Sequence, residues 1–365
     1  MRIGVDGGAL SITDDRLKVG TYRVAYNLVK ELPRIDVKSF YRVYSFGRGE
    51  EGIQKLRRKN VEFIRLPRLG FAKIWQPLEL ACNPVDTYLG ISQSLPLTLY
   101  DVRKIGFIYD VGFLEHPGFY RESFYTLSGL TASVVKRASH IITISQASAD
   151  SIRRHYDVPK EKLTVSYLGV DMVFRPTGKK HEAKHPYFLF VGSLKPGKNI
   201  PMMLRAFSEF LKQSKTIYDF LLVGSDYWLD PGISATMSSL GLRDRVHIVG
   251  FVEDDILSAY YRGAAALLSV SRIEGFGLPV VEAMACGCPV IASIAGSNPE
   301  VIGENGMLVD PDDEAEVVRA MQRVTTDIKF RDRLAKRGLT RAKSFTWPGF
   351  AKRVQRVIDH TSPRP

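Results

Sequence analysis

Two carboxylates eight positions apart, Glu274 and Glu282, stand in Ser271-Arg-Ile-Glu-Gly-Phe-Gly-Leu-Pro-Val-Val-Glu282. The apolar run Ala264–Val270 precedes them and reads as a buried parallel strand. After the turn at Gly275-Phe276-Gly277, Pro279 suits the first position of a helix, which the pattern extends to about Cys286 and stops at Gly287. One carboxylate therefore belongs to the loop at a strand's carboxyl end and the other to the next helix. Ligands of open α/β sheets bind at that place. The free N–H groups of a helix start favour an anion there. Two carboxylates beside a phosphate site suit a ligand both anionic and rich in hydroxyls, such as a nucleotide-sugar. The spacing alone is a common accident; the strand, turn and helix start around it give it weight.

A second segment is Tyr187-Phe-Leu-Phe-Val-Gly192-Ser193-Leu-Lys195-Pro-Gly197-Lys198-Asn199. A strand ends there in a Gly-rich basic turn leading into a helix, and its amides and lysines suit a pyrophosphate. Gly192, Gly197 and Lys198 also meet P-loop spacing, but Asn199 stands where a Ser or Thr hydroxyl should reach magnesium. In the third segment, Gly7-Gly8 and then Lys18-Val-Gly20, Gly20 precedes the first helix and lets backbone approach a ligand. No G-x-G-x-x-G follows the first strand, which counts against an NAD-binding dehydrogenase. A fourth, Tyr109-Asp110 at a strand's carboxyl end, reads either as hydrogen-bonding groups for a sugar or phosphate-bearing acceptor, or as a packed Tyr beside a loop-capping Asp. The basic, aromatic stretch from Lys55 to Trp75 reads either as a solvated face or as a surface for anionic lipid. It carries no RNA-recognition or helix-turn-helix signature, so nucleic acid is disfavoured.

The elements that must position these residues follow from the rest of the chain. At 365 residues, 45% hydrophobic and 25% charged, it has the composition of a globular protein of two domains. Strand-like runs alternate with helical patterns throughout, which predicts doubly wound α/β architecture. The expected strands are Arg2–Asp6, Tyr41–Phe46, Val61–Leu66, Thr87–Ile91, Lys104–Tyr109, His140–Ser145 and Leu163–Tyr167. After them come Tyr187–Val191, Phe220–Val223, Val246–Val249, Ala264–Val270, Val290–Ser293 and Met307–Val309. Residues 169–185 lack periodicity and read as a linker. A polar helical stretch, Glu314–Ala342, and a last helix, Trp347–His360, close the chain. The net charge is +12, and residues 1–176 carry 26 Lys and Arg against 18 Asp and Glu. Such a balance fits phosphorylated substrates or anionic surfaces. Three cysteines and seven histidines show no disulfide or metal spacing, so a reducing cytosol is expected, with no metal and no cofactor. No apolar run reaches membrane-span length, and no secretory signal opens the sequence. Asp310-Pro311-Asp312 is best read as a turn whose acids cap a helix.

In this order the segments resemble family-4 glycosyltransferases of GT-B architecture, and most the mannosyltransferase-like group 1 branch that builds polysaccharide or glycolipid. Val246-His-Ile-Val-Gly-Phe251, the Glu274–Glu282 segment and Gly296-Ser-Asn-Pro-Glu300 carry the resemblance. It implies two Rossmann-like domains facing each other across a cleft. Residues 1–175 would form an acceptor-binding domain and residues 176–345 a nucleotide-sugar-binding one, with helix 346–365 crossing back to the first. It implies a retaining, metal-independent hexosyltransferase, most plausibly a mannosyltransferase, acting at the inner face of a membrane or in the cytoplasm. Its partners would be a nucleotide-sugar donor (GDP-, UDP- or ADP-linked) and a glycan or lipid-linked acceptor. Glu274, Asp110 and Tyr109 would be catalytic. Gly20, Ser193, Lys195, Lys198, Phe251, Gly275, Phe276, Gly277, Leu278 and Glu282 would bind the donor. Two departures stand out: relatives commonly carry His-Asp where this chain has Tyr109-Asp110, and Arg where it has Gly197. His116 and Lys195 are the candidate replacements. They leave open a catalytically weak, nucleotide-sugar-binding partner subunit; a P-loop NTPase is the more distant alternative.

Overall fold

The computed structural model describes residues 1–18, 20–46, 55–98, 100–225 and 230–360. The chain divides into two compact units, residues 1–169 with 347–365 and residues 170–346. In the first, β1 (Arg2–Asp6), β2 (Phe40–Ser45), β3 (Val61–Arg65), β4 (Thr87–Gly90), β5 (Arg103–Phe107), β6 (His140–Thr143) and β7 (Leu163–Val165) form one sheet in the order β3-β2-β1-β4-β5-β6-β7. In the second, β8 (Tyr187–Val191), β9 (Asp219–Val223), β10 (Val246–Gly250), β11 (Ala266–Ser269), β12 (Val290–Ser293) and β13 (Met307–Val309) run in the order β10-β9-β8-β11-β12-β13. All pairings between these strands are parallel. Both units are thus Rossmann-like, and both reverse strand order beside their first strand: between β1 and β4, and between β8 and β11.

The central strands β4, β6, β8, β9, β11 and β12 are buried runs, as strands of a parallel sheet covered by helices on both faces are. Phe188, Leu189 and Phe190 of β8 are buried, and Phe188 packs edge-on against Phe210 with ring centres 5.3 Å apart. In the first unit, Ala25, Leu28, Val29 and Leu32 of the helix Gly20–Ile35 are buried, as their helical spacing requires. The helix Gln146–Tyr156 starts at Ser145, whose hydroxyl accepts the Ser148 N–H at 3.0 Å.

Several expected strands end early at their carboxyl ends. Tyr109, Ser145 and Val270 lie beyond β5, β6 and β11, where the chain leaves the sheet for its functional loops. The stretch 314–342 is two helices, Glu314–Thr326 and Ile328–Ala342, because the Asp327 carboxylate accepts the Phe330 N–H and starts a new one. Asp310 forms the expected turn, its carboxylate accepting the Asp312 N–H at 2.8 Å. Residues 169–185 hold no helix or strand, but they are tied down. Arg262 donates to the carbonyls of Lys179 (2.8 Å) and Arg175 (3.2 Å), and the His181 N–H donates to Ala259. Among the described residues, no helix is long and apolar enough to cross a membrane.

Candidate functional site

The strand order makes β8 and β11 neighbours, so the loops after them meet. The Arg272 N–H donates to the Gly197 carbonyl at 3.0 Å. Lys198, at the end of the turn Pro196–Lys198, reaches across to Glu274, with Nζ 2.7 Å from the carboxylate. Both side chains are mostly buried, at 17% and 14% exposed, so the pair is screened less than a surface ion pair. Gly192 (φ 146°) and Gly224 (φ 143°) allow the neighbouring loops after β8 and β9 to touch. A Cβ on Gly224 would fall 2.1 Å from the Gly192 carbonyl oxygen.

The helix that follows Glu274 spans Leu278–Ala285 and is entered through Gly277 at φ 80°. Pro279 has no N–H, and the Val280 and Val281 N–H groups turn back to the Gly277 carbonyl at 2.9 and 3.3 Å, so what the helix start offers beside the Lys198–Glu274 pair is chiefly the positive end of its dipole. Phe276 presents only backbone, because its ring is buried edge-on against Phe345 at 5.6 Å. Glu282, on this helix, is 3% exposed, and one of its carboxylate oxygens accepts the Tyr261 hydroxyl at 2.9 Å.

A second loop clamps Glu274 from behind. The Ser297 N–H and hydroxyl both donate to the Glu274 carbonyl, at 3.0 and 3.1 Å. Asn298 is fully buried and donates to Ser293 Oγ. Its Oδ1 has no partner among the described residues, and a Cβ on Gly277 would lie 3.3 Å from it. Sequence reasoning assigned no role to Ser297, Asn298 or Tyr261. The first two fell within a quoted motif without a partner, and nothing local marks a Tyr whose target lies 21 residues away.

The remaining expected donor positions lie at loops of the same kind. The Ser193 carbonyl accepts the Lys195 N–H, and Lys195 opens the Pro196–Lys198 turn. Leu278 begins its helix, and Phe251 is exposed just past β10. Asn199, the position that broke the P-loop pattern, has φ 59° and turns its amide inward to the Pro311 carbonyl at 2.8 Å.

Gly20, Tyr109 and Asp110 belong to the first unit. Gly20 opens the helix Gly20–Ile35. The Tyr109 hydroxyl donates to the Ile91 carbonyl at 2.8 Å, so it serves the loop after β4. Burial, and then the nearby Asp6 carboxylate, hold its phenol above the ordinary value. Asp110 accepts the Gly112 N–H and shapes the start of the helix Gly112–Glu115. These are the structural roles left open for the pair. His116 closes that short helix and stacks on Phe119 at 5.7 Å. Asp6 was not anticipated: it is buried at the end of β1 and accepts the N–H groups of Gly8 and Ser92, joining the loops at the first unit's switch point. A hollow of about 820 Å³, lined in part by Arg2, Phe40 and Arg103, lies at the opposite, amino ends of that sheet.

From the basic stretch, Val61–Arg65 is the edge strand β3, and Phe71 packs on Phe46. Leu69, Ile74 and Trp75 are exposed, at 91%, 53% and 41%. Among the described residues, no group of three or more His, Cys, Asp or Glu is placed to hold a metal.

Residues 175–341 match the family described as "Glycosyl transferases group 1". Those residues are similar to a group 1 glycosyltransferase domain. The O-antigen chain mannosyltransferase B of Escherichia coli is 30% identical over 219 residues, 58% of this chain and 58% of that protein. The O-antigen chain mannosyltransferase RfbU of Salmonella typhimurium is 31% identical over 241 residues, 65% of this chain and 62% of that protein. The match thus spans about three-fifths of either relative's length. Sucrose-phosphate synthase from Thermosynechococcus elongatus has the same fold, with a TM-score of 0.78 over 99% of this chain and 98% of that one at 20% identity. The matched residues include β8 to β13 and every residue of the Lys198–Glu274–Glu282 constellation.

Proposed function

We propose that this chain is a retaining, metal-independent hexosyltransferase that moves mannose from a nucleotide-sugar to a glycan or lipid-linked acceptor. The relatives named above, both O-antigen chain mannosyltransferases, support the sugar and the acceptor class. The observation that carries the reading is the Lys198–Glu274 pair at the switch point of the second sheet. Without ligand each group neutralises the other. A donor would exchange that pair for two better matched ones: the diphosphate takes the Lys198 ammonium, and the sugar hydroxyls take the Glu274 carboxylate. The positive end of the Leu278–Ala285 helix dipole adds a fixed field for the departing phosphate. Glu282 takes the ribose hydroxyls. Residues of the first unit hold the acceptor.

Turnover is measured with GDP-, UDP- and ADP-sugars and with glycan and lipid-linked acceptors, with and without a chelator. The expected outcome is transfer that survives chelation and yields a product of unchanged anomeric configuration. Glu274→Gln lowers kcat by about a hundredfold, and Glu282→Gln weakens donor binding by about tenfold. Unchanged kinetics in both variants would remove the site assignment. An inverted product, or transfer abolished by the chelator, would overturn that part of the mechanism.

A catalytically weak partner subunit is the second reading, favoured by Tyr109, whose hydroxyl is committed to the Ile91 carbonyl. Donor binding without transfer to any acceptor or to water would decide for it. The P-loop alternative loses support from the inward-turned Asn199 amide, which leaves no hydroxyl for magnesium. Peripheral contact with an anionic membrane is part of the proposal: Leu69, Ile74 and Trp75 are exposed among Arg65, Arg68 and Lys73. Failure to co-sediment with anionic vesicles at low salt would remove it.

A further inference from the structure

The carboxylate of Glu282 is almost fully buried, yet the reading above asks it to meet a ligand. A buried carboxylate needs hydrogen-bond donors, and its orientation is set by whichever donors the protein supplies. One donor is Tyr261, itself fully buried on the helix Asp254–Gly263, whose hydroxyl lies 2.9 Å from one Glu282 oxygen. A carboxylate offers about four acceptor directions. A rigid phenol on one of them fixes the plane of the rest.

Tyr261 is in turn held by the irregular segment that opens the second unit. The Phe174 ring packs edge-on against it, with centres 5.9 Å apart. Next to Tyr261, Tyr260 stacks on His181 at 4.0 Å. The next residue, Arg262, ties the same segment down through the carbonyls of Arg175 and Lys179. Three consecutive helix residues thus anchor residues 174–181, and the middle one faces Glu282.

We infer that Tyr261 is a positioning residue for donor binding: its hydroxyl aims the Glu282 carboxylate, and the strap of residues 174–181 holds Tyr261 in place. This rests on the reading of Glu282 as a donor-binding group. Tyr261 is fully buried and its hydroxyl is given to Glu282, so its effect passes through Glu282, and that sets the test.

Dissociation constants for GDP, UDP and ADP are measured by titration calorimetry on the wild type, Tyr261→Phe, Glu282→Gln and the double variant. Phenylalanine keeps the ring and its packing, and the melting temperature of each variant checks folding. Tyr261→Phe is expected to weaken the bound nucleotide by about tenfold. It also raises the donor KM while leaving kcat within about twofold. In the Glu282→Gln background the same substitution costs little more, because the group it orients is already altered. Wild-type affinity in Tyr261→Phe overturns the inference, as do losses that multiply in the double variant. A wild type that binds none of the three nucleotides overturns the donor-site reading itself and the inference with it. Tight wild-type binding that Glu282→Gln leaves intact removes Glu282, and with it Tyr261, from the site.

Discussion

Tyr109 shows how much a single residue's role depends on its partner. At this position relatives of the resembling family commonly carry histidine, which titrates near neutrality. The phenol here is shifted the other way, above its ordinary value, by burial and then by Asp6. It stays protonated across the working range. A raised pKa favours the folded state below the ordinary phenol value of about 10, and that contribution is lost as pH rises beyond it. Tyr109→Phe is therefore expected to leave the alkaline limb of the pH–rate profile in place and to lower stability by about 1 kcal/mol, the worth of its hydrogen bond to Ile91. An alkaline limb that moves on substitution would make Tyr109 a titrating member of the site. The Tyr-Asp pair was visible in the sequence, but whether the hydroxyl faced a ligand or a carbonyl was not, because that depends on Ile91, 18 residues away.

At the scale of elements, the Glu274 loop is shaped as much by the loop after β12 as by its own glycines. Gly296 has φ 61°, and a Cβ there would lie 2.4 Å from the Glu274 carbonyl oxygen and 2.9 Å from its nitrogen. Both contacts are with backbone, so the clash cannot be relieved by turning a side chain. Gly296→Ala is expected to destabilise the chain by about 2 kcal/mol or more. It should also displace the Ser297 hydrogen bonds, lowering transfer beyond what the lost stability explains. Thermal melts and kinetics at a temperature where the variant is folded separate the two effects. Full activity would mean that the Glu274 loop needs no support from behind. The strand-turn-helix plan around Glu274 was legible, since an apolar run, a Gly-rich turn and a Pro at a helix start are local signals. The clamp was not, because it joins two such units through a backbone contact that has no periodicity.

At the scale of the molecule, the last helix, Trp347–His360, belongs to the unit built by the first 169 residues. Phe350 is 1% exposed there, its ring 6.4 Å from that of Phe107 on β5, and its carbonyl accepts the Ser166 hydroxyl. Phe350→Ala is expected to cost about 3–5 kcal/mol. Its signature should be faster amide exchange in β5 and β6, more than two hundred positions away in sequence. Exchange that speeds up only within residues 347–360 would show the helix to be a dispensable cap. What the sequence by itself determined was the parts: the central strands such as β8, β9, β11 and β12, because each is a short, mostly apolar and mostly buried run, and the helix starts, because Ser, Asp and Pro act within one turn. What only the tertiary structure decided was who meets whom. Lys198 and Glu274 lie 76 residues apart, and they pair because β8 and β11 are neighbours in the sheet. Tyr261 finds Glu282, and Phe350 finds Phe107, for the same physical reason: strand order and helix packing bury non-local faces against each other, and no local pattern of residues encodes that choice.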